Sequence, residues 1–105
     1  MSDEQHVTVE EDRDRSRFEV LLDGERAGVA AYEQRGRVRT FTHTVVFPEF
    51  GGHGLGSALA AAVLADARAQ GYEVVPQCPF IAAYIGDHRE WLDIVDPASR
   101  ERLTS

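Results

Sequence analysis

The stretch VVFPEFGGHGLGSALAAAVL, residues 45–64, changes its pattern midway and decides the fold class. Its first residues are typical of a strand, and the part after Gly54 is rich in Ala and Leu, which favour helix. The glycines between them predict a turn from strand to helix. We therefore expect a strand over residues 37–47, a glycine-rich turn, and a helix over residues 53–70 that Gly71 caps.

The residues before this stretch alternate between apolar and polar, as half-buried strands do. Phe18, Val20 and Leu22 form one such set, and Asp23-Gly24 after them is a strong tight-turn dipeptide. The chain then returns as a second hairpin arm. The first half therefore predicts an antiparallel meander of three or four strands, over residues 6–10, 17–22, 27–33 and 37–47.

The residues after the first helix predict a second strand–helix pair. Residues 72–77 form a short strand, Pro79 begins a helix that reaches about residue 88, and residues 89–95 add a further helical turn. The order predicts an α/β (α+β) fold, in which a meander is followed by a β-α-β unit and a C-terminal helix. A right-handed crossover makes strand 72–77 parallel to strand 37–47, so a ligand is expected at their carboxyl ends. The apolar stripe of the first helix is expected to comprise Leu55, Leu59, Ala62 and Val63.

Length and composition limit the class of protein. A chain of 105 residues predicts a single domain over residues 1–105, with residues 1–5 and 97–105 expected to fray. No apolar run approaches the roughly 20 residues that span a bilayer, and the first 14 residues have no signal-peptide core. We therefore expect a cytoplasmic protein with no membrane partner, as a monomer or weak homodimer.

Charge and cysteine content exclude further classes. The net charge of −7 disfavours non-specific nucleic-acid binding, so no nucleic-acid partner is expected. The single cysteine, Cys78, rules out an intramolecular disulfide. One cysteine and scattered histidines have no ligand spacing, so no metal site is expected.

The glycine-rich turn FGGHGLG, residues 50–56, is the strongest local signal for a binding site. Glycines let the backbone approach a ligand, and the helix that follows adds its positive end, which favours a phosphate. A plain tight turn would explain the same residues, and both interpretations stay open. The turn lacks the Lys-Ser or Lys-Thr of a nucleoside-triphosphate loop. The antiparallel first half also excludes the dinucleotide-binding fold.

Three residues near the predicted carboxyl ends could carry chemistry. Pro76 fits either an edge strand or a strand that parts from its neighbour, which would leave backbone groups free for a ligand. Cys78 stands at the start of a helix, which raises the thiolate fraction, but a lone cysteine is also a common buried residue. His43, on the strand expected to face Cys78, could accept a proton from an amine or be structural.

Four segments together resemble a known family: Thr42-His43-Thr44-Val45, Pro48-Glu49, Gly52-His53-Gly54-Leu55-Gly56 and Pro76-Gln77-Cys78-Pro79-Phe80. They look like the small N-acetyltransferase-domain proteins of the GNAT superfamily, over about residues 17–95. The pyrophosphate loop of that superfamily, Gln/Arg-x-x-Gly-x-Gly/Ala, falls here on residues 51–56. Gly51 replaces the usual Gln or Arg, so one polar contact to the coenzyme is missing.

This resemblance implies acetyl-coenzyme A in a cleft between two splayed parallel strands, and acetyl transfer to an amine. Its implied catalytic residues are Cys78 and His43. Tyr84 either protonates the departing thiolate or packs as an ordinary aromatic residue. The implied coenzyme-binding residues are Val45, Val46, Gly51, Gly52, His53, Gly54, Leu55, Gly56, Ser57 and Tyr84.

Several functions remain open at this point. An acceptor amine, either a protein lysine or a small amine, attacks the thioester directly with His43 as base, or attacks an acetyl group carried on Cys78. Alternatively, the chain is a coenzyme A or acyl-coenzyme A binding module with little or no turnover. A third interpretation is a structural interaction domain with no ligand.

Overall fold

The computed structural model describes residues 6–104, which form one five-stranded sheet and the helices packed on it. The first four strands pair antiparallel with their neighbours, and the fourth pairs parallel with the fifth. This arrangement confirms the predicted fold class, a meander followed by a β-α-β unit. The strands lie across the sheet in chain order: β1 (Val7–Asp12), β2 (Arg17–Leu22), β3 (Glu25–Arg35), β4 (Val38–Val46) and β5 (Glu73–Pro76).

The helices follow the meander. α1 begins later than the predicted residue 53 because Gly54, its N-cap, has a left-handed backbone with φ of 69°. Two short 3₁₀ helices, Pro48–Phe50 and Arg89–Ile94, precede α1 and follow α2. The three α-helices are α1 (Leu55–Gln70), α2 (Pro79–Asp87) and α3 (Pro97–Thr104).

The hairpin between β2 and β3 forms where the sequence predicts it. Asp23 and Gly24 both have positive φ, 52° and 84°. A two-residue turn with both central residues in this region matches the twist of the flanking strands. This local chemistry fixes the pairing of Leu22 with Glu25, and the register of β2 and β3 then shifts by one residue between Leu21 and Val20.

The core lies on one face of the sheet. Alternate residues of β2 are buried against α1, and the residues between them remain partly exposed. The buried stripe of α1 is wider than predicted, since α1 contacts both the sheet and α2. Ala62, expected in this stripe, is only half-buried. The buried residues of α1 are Leu55, Leu59, Ala60, Val63, Leu64 and Ala67.

A buried arginine ties the sheet to α1. Arg39 on β4 is 4% exposed, and its Nη1 lies 3.0 Å from Oδ2 of Asp66 on α1. Its Nε donates to Oε1 of Gln34 at 2.7 Å, and its Nη2 lies 3.6 Å from Oε2 of Glu11. The guanidinium also lies 4.1 Å from the ring centroid of Tyr32. Burial and the hydrogen bond that its hydroxyl donates to Glu11 raise the pKa of Tyr32 to about 12.

Residues 97–104, within the C-terminal segment that is expected to fray, form α3. The N–H of Ser99 donates to Oδ2 of Asp96 at 3.2 Å, which caps the helix start. Ser99 is 2% exposed and Leu103 packs against the core, so the helix is anchored. Residues 1–5 and residue 105 lie outside the described residues. Within residues 6–104 no helix has both the length and the apolar character to cross a membrane.

Candidate active site

β4 and β5 separate part-way along β4. Their parallel register ends at the pair Phe41 and Pro76, after which the N–H of Cys78 donates to the carbonyl of Phe41 at 2.8 Å. No described strand pairs with residues 42–46 on this side. We call the opening between residues 42–46 and the chain after Pro76 the fork. It confirms the predicted splayed strands and leaves backbone groups available to a ligand.

A β-bulge at Thr42 determines on which face of the sheet each β4 side chain lies at the fork. The register of β3 and β4 shifts here by one residue. After the shift, Thr44 lies opposite buried Ala30, on the face that the helices cover. His43 lies opposite Ala31 on the other face, because consecutive strand residues point to opposite sides. Without the bulge, these two side chains would have exchanged faces.

Cys78 lies at the helix-covered side of the fork. It precedes α2 directly, with an extended backbone, and is 2% exposed. Its S–H donates to Oγ1 of Thr44 over 3.3 Å. The partner of the thiol on β4 is therefore Thr44, whereas the sequence places His43 opposite Cys78. The bulge accounts for the difference, because it shifts by one residue which side chains of β4 face the helices.

His43 is exposed on the opposite face. Its Nδ1 lies 3.3 Å from Oγ1 of Thr42, and that hydroxyl donates to the carbonyl of Ala31, also at 3.3 Å. None of the alternate strand residues on this face of β2 is buried. The structure thus puts the two predicted catalytic residues on opposite faces of the fork and does not bring them into contact.

The glycine-rich turn encloses a hollow of about 280 Å³ at the carboxyl end of β4. Gly54, the N-cap residue of α1, has no side chain with which to cap the helix, and the positive end of the helix is at the hollow. The lining residues are Val46, Phe50, Gly51, Gly52, Gly54, Leu55, Gly56, Ser57 and Phe80.

Most of the predicted coenzyme-binding residues line this hollow, and three do not. Val45 is 45% exposed and lies opposite Val29, on the same face as His43. His53 is exposed in the turn itself. Tyr84 stacks on the ring of His88 with centroids 4.0 Å apart, and Nδ1 of His88 lies 2.9 Å from the carbonyl of Tyr84.

Phe80 is a lining residue that the sequence does not single out. It is 41% exposed on the first turn of α2, and its ring tip lies against the backbone of Gly56. A Cβ atom at Gly56 would be 2.7 Å from Cζ of Phe80, which is too close for a normal contact. The available signal was an aromatic residue two positions after Cys78, near the start of a helix. Its contact across to α1 depends on tertiary structure.

The described residues do not form a group of metal ligands. Within residues 6–104 there is no group of three or more His, Cys, Asp or Glu that could hold a metal ion. The fork and the hollow instead offer backbone amides, an imidazole, a thiol and apolar walls.

Comparison with known proteins agrees with this geometry. The sequence profile described as GCN5-related N-acetyl-transferase matches residues 17–94, most of the chain and all of the fork and hollow. The chain belongs to this family. Membership in the GCN5-related N-acetyltransferases confirms the predicted family and the predicted acetyltransferase class.

One solved structure extends the comparison to the fold. The NMR structure of a GCN5-like protein from Staphylococcus aureus matches with a TM-score of 0.66 and 20% sequence identity. The match covers 85% of this chain and 87% of that chain. At this identity the likeness concerns the fold, and it agrees with the meander and β-α-β unit of this acetyltransferase domain. No protein among the curated sequences compared matches the chain.

Proposed function

We propose that the chain is an N-acetyltransferase that moves the acetyl group of acetyl-coenzyme A to an amine. One observation carries this proposal: Val46 is the last residue of the fork and also lines the hollow. An elongated thioester with phosphates at its far end therefore fits along one continuous path. The thioester would lie in the fork and the phosphates in the hollow.

The hollow suits a phosphate because of its backbone. The first turn of α1 presents N–H groups and the positive end of the helix. In the fork, the free edge of β4 offers N–H and C=O groups of residues 42–46 to the two amides of the pantetheine arm. We assign this contact to the backbone of Val45 and Val46.

The proposed chemistry is direct transfer. The amine nitrogen attacks the thioester carbonyl, a C–N bond forms, and the C–S bond breaks. His43 accepts the proton of the amine, and the departing thiolate of the coenzyme takes up a proton from solvent. Direct transfer is supported by the burial of Cys78 and its bond to Thr44, on the face away from His43. An acetyl group on Cys78 would require the thiol to leave that contact.

Calorimetric titration of acetyl-coenzyme A into the protein tests the binding step. We expect micromolar affinity, about −8 kcal/mol, for the unmodified protein and for Cys78→Ala. Intact-mass analysis of the same sample should show no acetylated Cys78. If neither heat nor a shift in melting temperature appears at millimolar ligand, the coenzyme site itself is disproved.

Turnover is tested with a panel of amines and His43→Gln. We expect the substitution to lower kcat by about a hundredfold at unchanged coenzyme affinity, since general base catalysis contributes that order. Coenzyme binding without transfer to any amine would instead identify a binding module. Acetyl-Cys78 that discharges to an amine would establish the covalent route.

A further inference from the structure

The two edges of the sheet differ in how they are closed. At one edge, the carbonyl of Val74 on β5 accepts a hydrogen bond from the N–H of Asp96 at 2.9 Å, and Val74 forms a bridge to Val95. At the other edge, β1 pairs with β2 on its inner side, and within residues 6–104 no strand or bridge pairs with its outer side. An open strand edge carries unpaired N–H and C=O groups that can pair with a further strand. The outer edge of β1 is therefore available as an interaction surface.

The register shows which backbone groups line this outer edge. The N–H of Asp23 donates to the carbonyl of His6 at 2.8 Å, which makes these two residues a hydrogen-bonded pair where β1 and β2 meet the hairpin. Hydrogen-bonded and non-hydrogen-bonded pairs alternate along an antiparallel ladder. The N–H and C=O groups of Val7, Val9 and Glu11 consequently point away from β2 and are available to another strand.

The side chains of β1 differ between the two faces of the sheet. Val7 and Val9 lie opposite buried residues of β2, on the face that the helices cover, and Val7 is 42% exposed. Glu10 lies opposite Glu19 on the uncovered face. A strand added to this edge would therefore meet apolar side chains on one face and carboxylates on the other.

The surface beside this edge is acidic. A recess of about 480 Å³ lies where β1 turns into β2, and five of its six lining residues are acidic. Three of these, Glu11, Asp12 and Glu19, pair with arginines of the chain. Glu10 is exposed and forms no ion pair within residues 6–104. The residues of this acidic recess are Glu10, Glu11, Asp12, Arg13, Asp14 and Glu19.

Charge distinguishes between the possible occupants of the edge. A second copy of the chain would bring two acidic recesses together, and each chain carries a net charge of −7. Charged residues on an edge strand commonly prevent this kind of self-pairing. A basic segment would instead meet opposite charge, which favours both encounter and correct register.

We propose that the outer edge of β1 binds an extended segment of a partner protein in which apolar and basic residues alternate. The segment adds a sixth strand to the sheet through the backbone of Val7, Val9 and Glu11. Its apolar side chains cover Val7 and Val9, and its lysine or arginine side chains face Glu10 and the acidic recess. The inference is independent of the proposed acetyl transfer, because two strands separate β1 from β4.

NMR titration of the labelled protein with a short peptide of alternating Val and Lys, blocked at both ends, tests the surface. We expect a dissociation constant of about 10–100 μM. The amide protons of Val7, Val9 and Glu11 should gain protection from exchange, whereas those of Thr8 and Glu10, already bonded to β2, should not. No binding at millimolar peptide, or protection confined to other residues, would overturn the proposal and leave the proposed acetyl transfer unaffected.

Two control peptides separate backbone pairing from attraction of charge. A peptide of alternating Val and Glu should not bind at millimolar concentration. The Val–Lys peptide with a methyl group on every backbone nitrogen should bind at least about tenfold more weakly, because it cannot donate to the strand edge. Equal affinity of the methylated and unmethylated peptides would overturn the added strand.

Matched variants test the side chains and the backbone of the edge. Glu10→Gln should weaken the Val–Lys peptide about threefold, and Glu73→Gln, which removes the same charge at an exposed position of β5, should change it by less than about 1.5-fold. Val7→Pro removes an outward N–H and leaves the ladder to β2 intact, so it should weaken binding about tenfold, against about threefold for Val7→Ala. Melting temperatures should confirm that all four variants fold. Equal affinities in the two Val7 variants would contradict pairing through the backbone.

Light scattering on the protein alone tests the competing occupant. The chain should be monomeric at the concentration of the titration, because the acidic edges repel one another. A dimer in which the amides of Val7 and Val9 are protected would assign the edge to a second copy and overturn the basic partner.

Discussion

At the scale of single residues, the thiol of Cys78 is the group whose chemistry most depends on its surroundings. It lies directly before α2, a position at which reactive cysteines are often found. Burial at 2% exposure and the bond donated to Thr44 act the other way, since a reagent must reach the sulfur before it can react. We infer that access, more than position at the helix, controls this thiol.

Alkylation of the single cysteine measures that access directly. The thiol of the folded protein should react at least about a hundredfold more slowly than in denaturant, because it is reached only through local opening. Thr44→Ala should raise the rate by removing the covering side chain, and Thr44→Ser should restore most of the protection. Equal rates in the folded and denatured protein would show that Cys78 is open.

At the scale of elements, the contact between the first turns of α1 and α2 shapes the hollow. Gly56 and Phe80 form it, and a methyl group at Gly56 would displace the ring tip of Phe80. Gly86 in α2 offers a matched control, because a Cβ there would meet nothing within 4 Å.

We predict that Gly56→Ala weakens coenzyme A binding about tenfold, since the displaced ring changes the wall of the hollow, whereas Gly86→Ala leaves affinity unchanged. Neither should lower the free energy of unfolding by more than about 1 kcal/mol, because Ala is the better helix former and the ring tip can move. In Phe80→Ala the additional Gly56→Ala should cost no further affinity, as the two residues act through one contact. Additive losses measured by calorimetry would contradict this coupling.

At the scale of the whole molecule, Arg39 joins elements that are distant in sequence. Its partners Glu11, Gln34 and Asp66 belong to β1, β3 and α1, so one side chain holds the meander to the helix that carries the hollow. Removing one member of a buried charged group leaves the others uncompensated.

Arg39→Met should lower the free energy of unfolding by about 3 kcal/mol, measured by urea denaturation. Arg35→Met, at an exposed position on β3, is the matched control and should change it by less than about 0.5 kcal/mol. If the two variants have equal midpoints and slopes, the Arg39 group contributes nothing to stability.

Much of the architecture follows from local sequence. The Asp23-Gly24 turn, the alternation in β2 and the Ala/Leu-rich α1 each depend on near neighbours, and the fold class confirmed by the structure follows from their order. The glycine-rich turn likewise predicts a site after β4. Helix α3 was harder to foresee, because its polar sequence is held by the Asp96 cap and by packing.

The sequence alone determined the element order and the place of the glycine turn, because turn chemistry and hydrophobic period act over a few residues. The family followed from the resemblance of its motifs. Only the tertiary structure decided which side chains meet at the fork. A single extra residue at Thr42 reverses the faces of His43 and Thr44, and no local pattern marks it. The meeting of Phe80 with Gly56 also joins two helices across the fold, and its physical cause is packing between segments far apart in the chain.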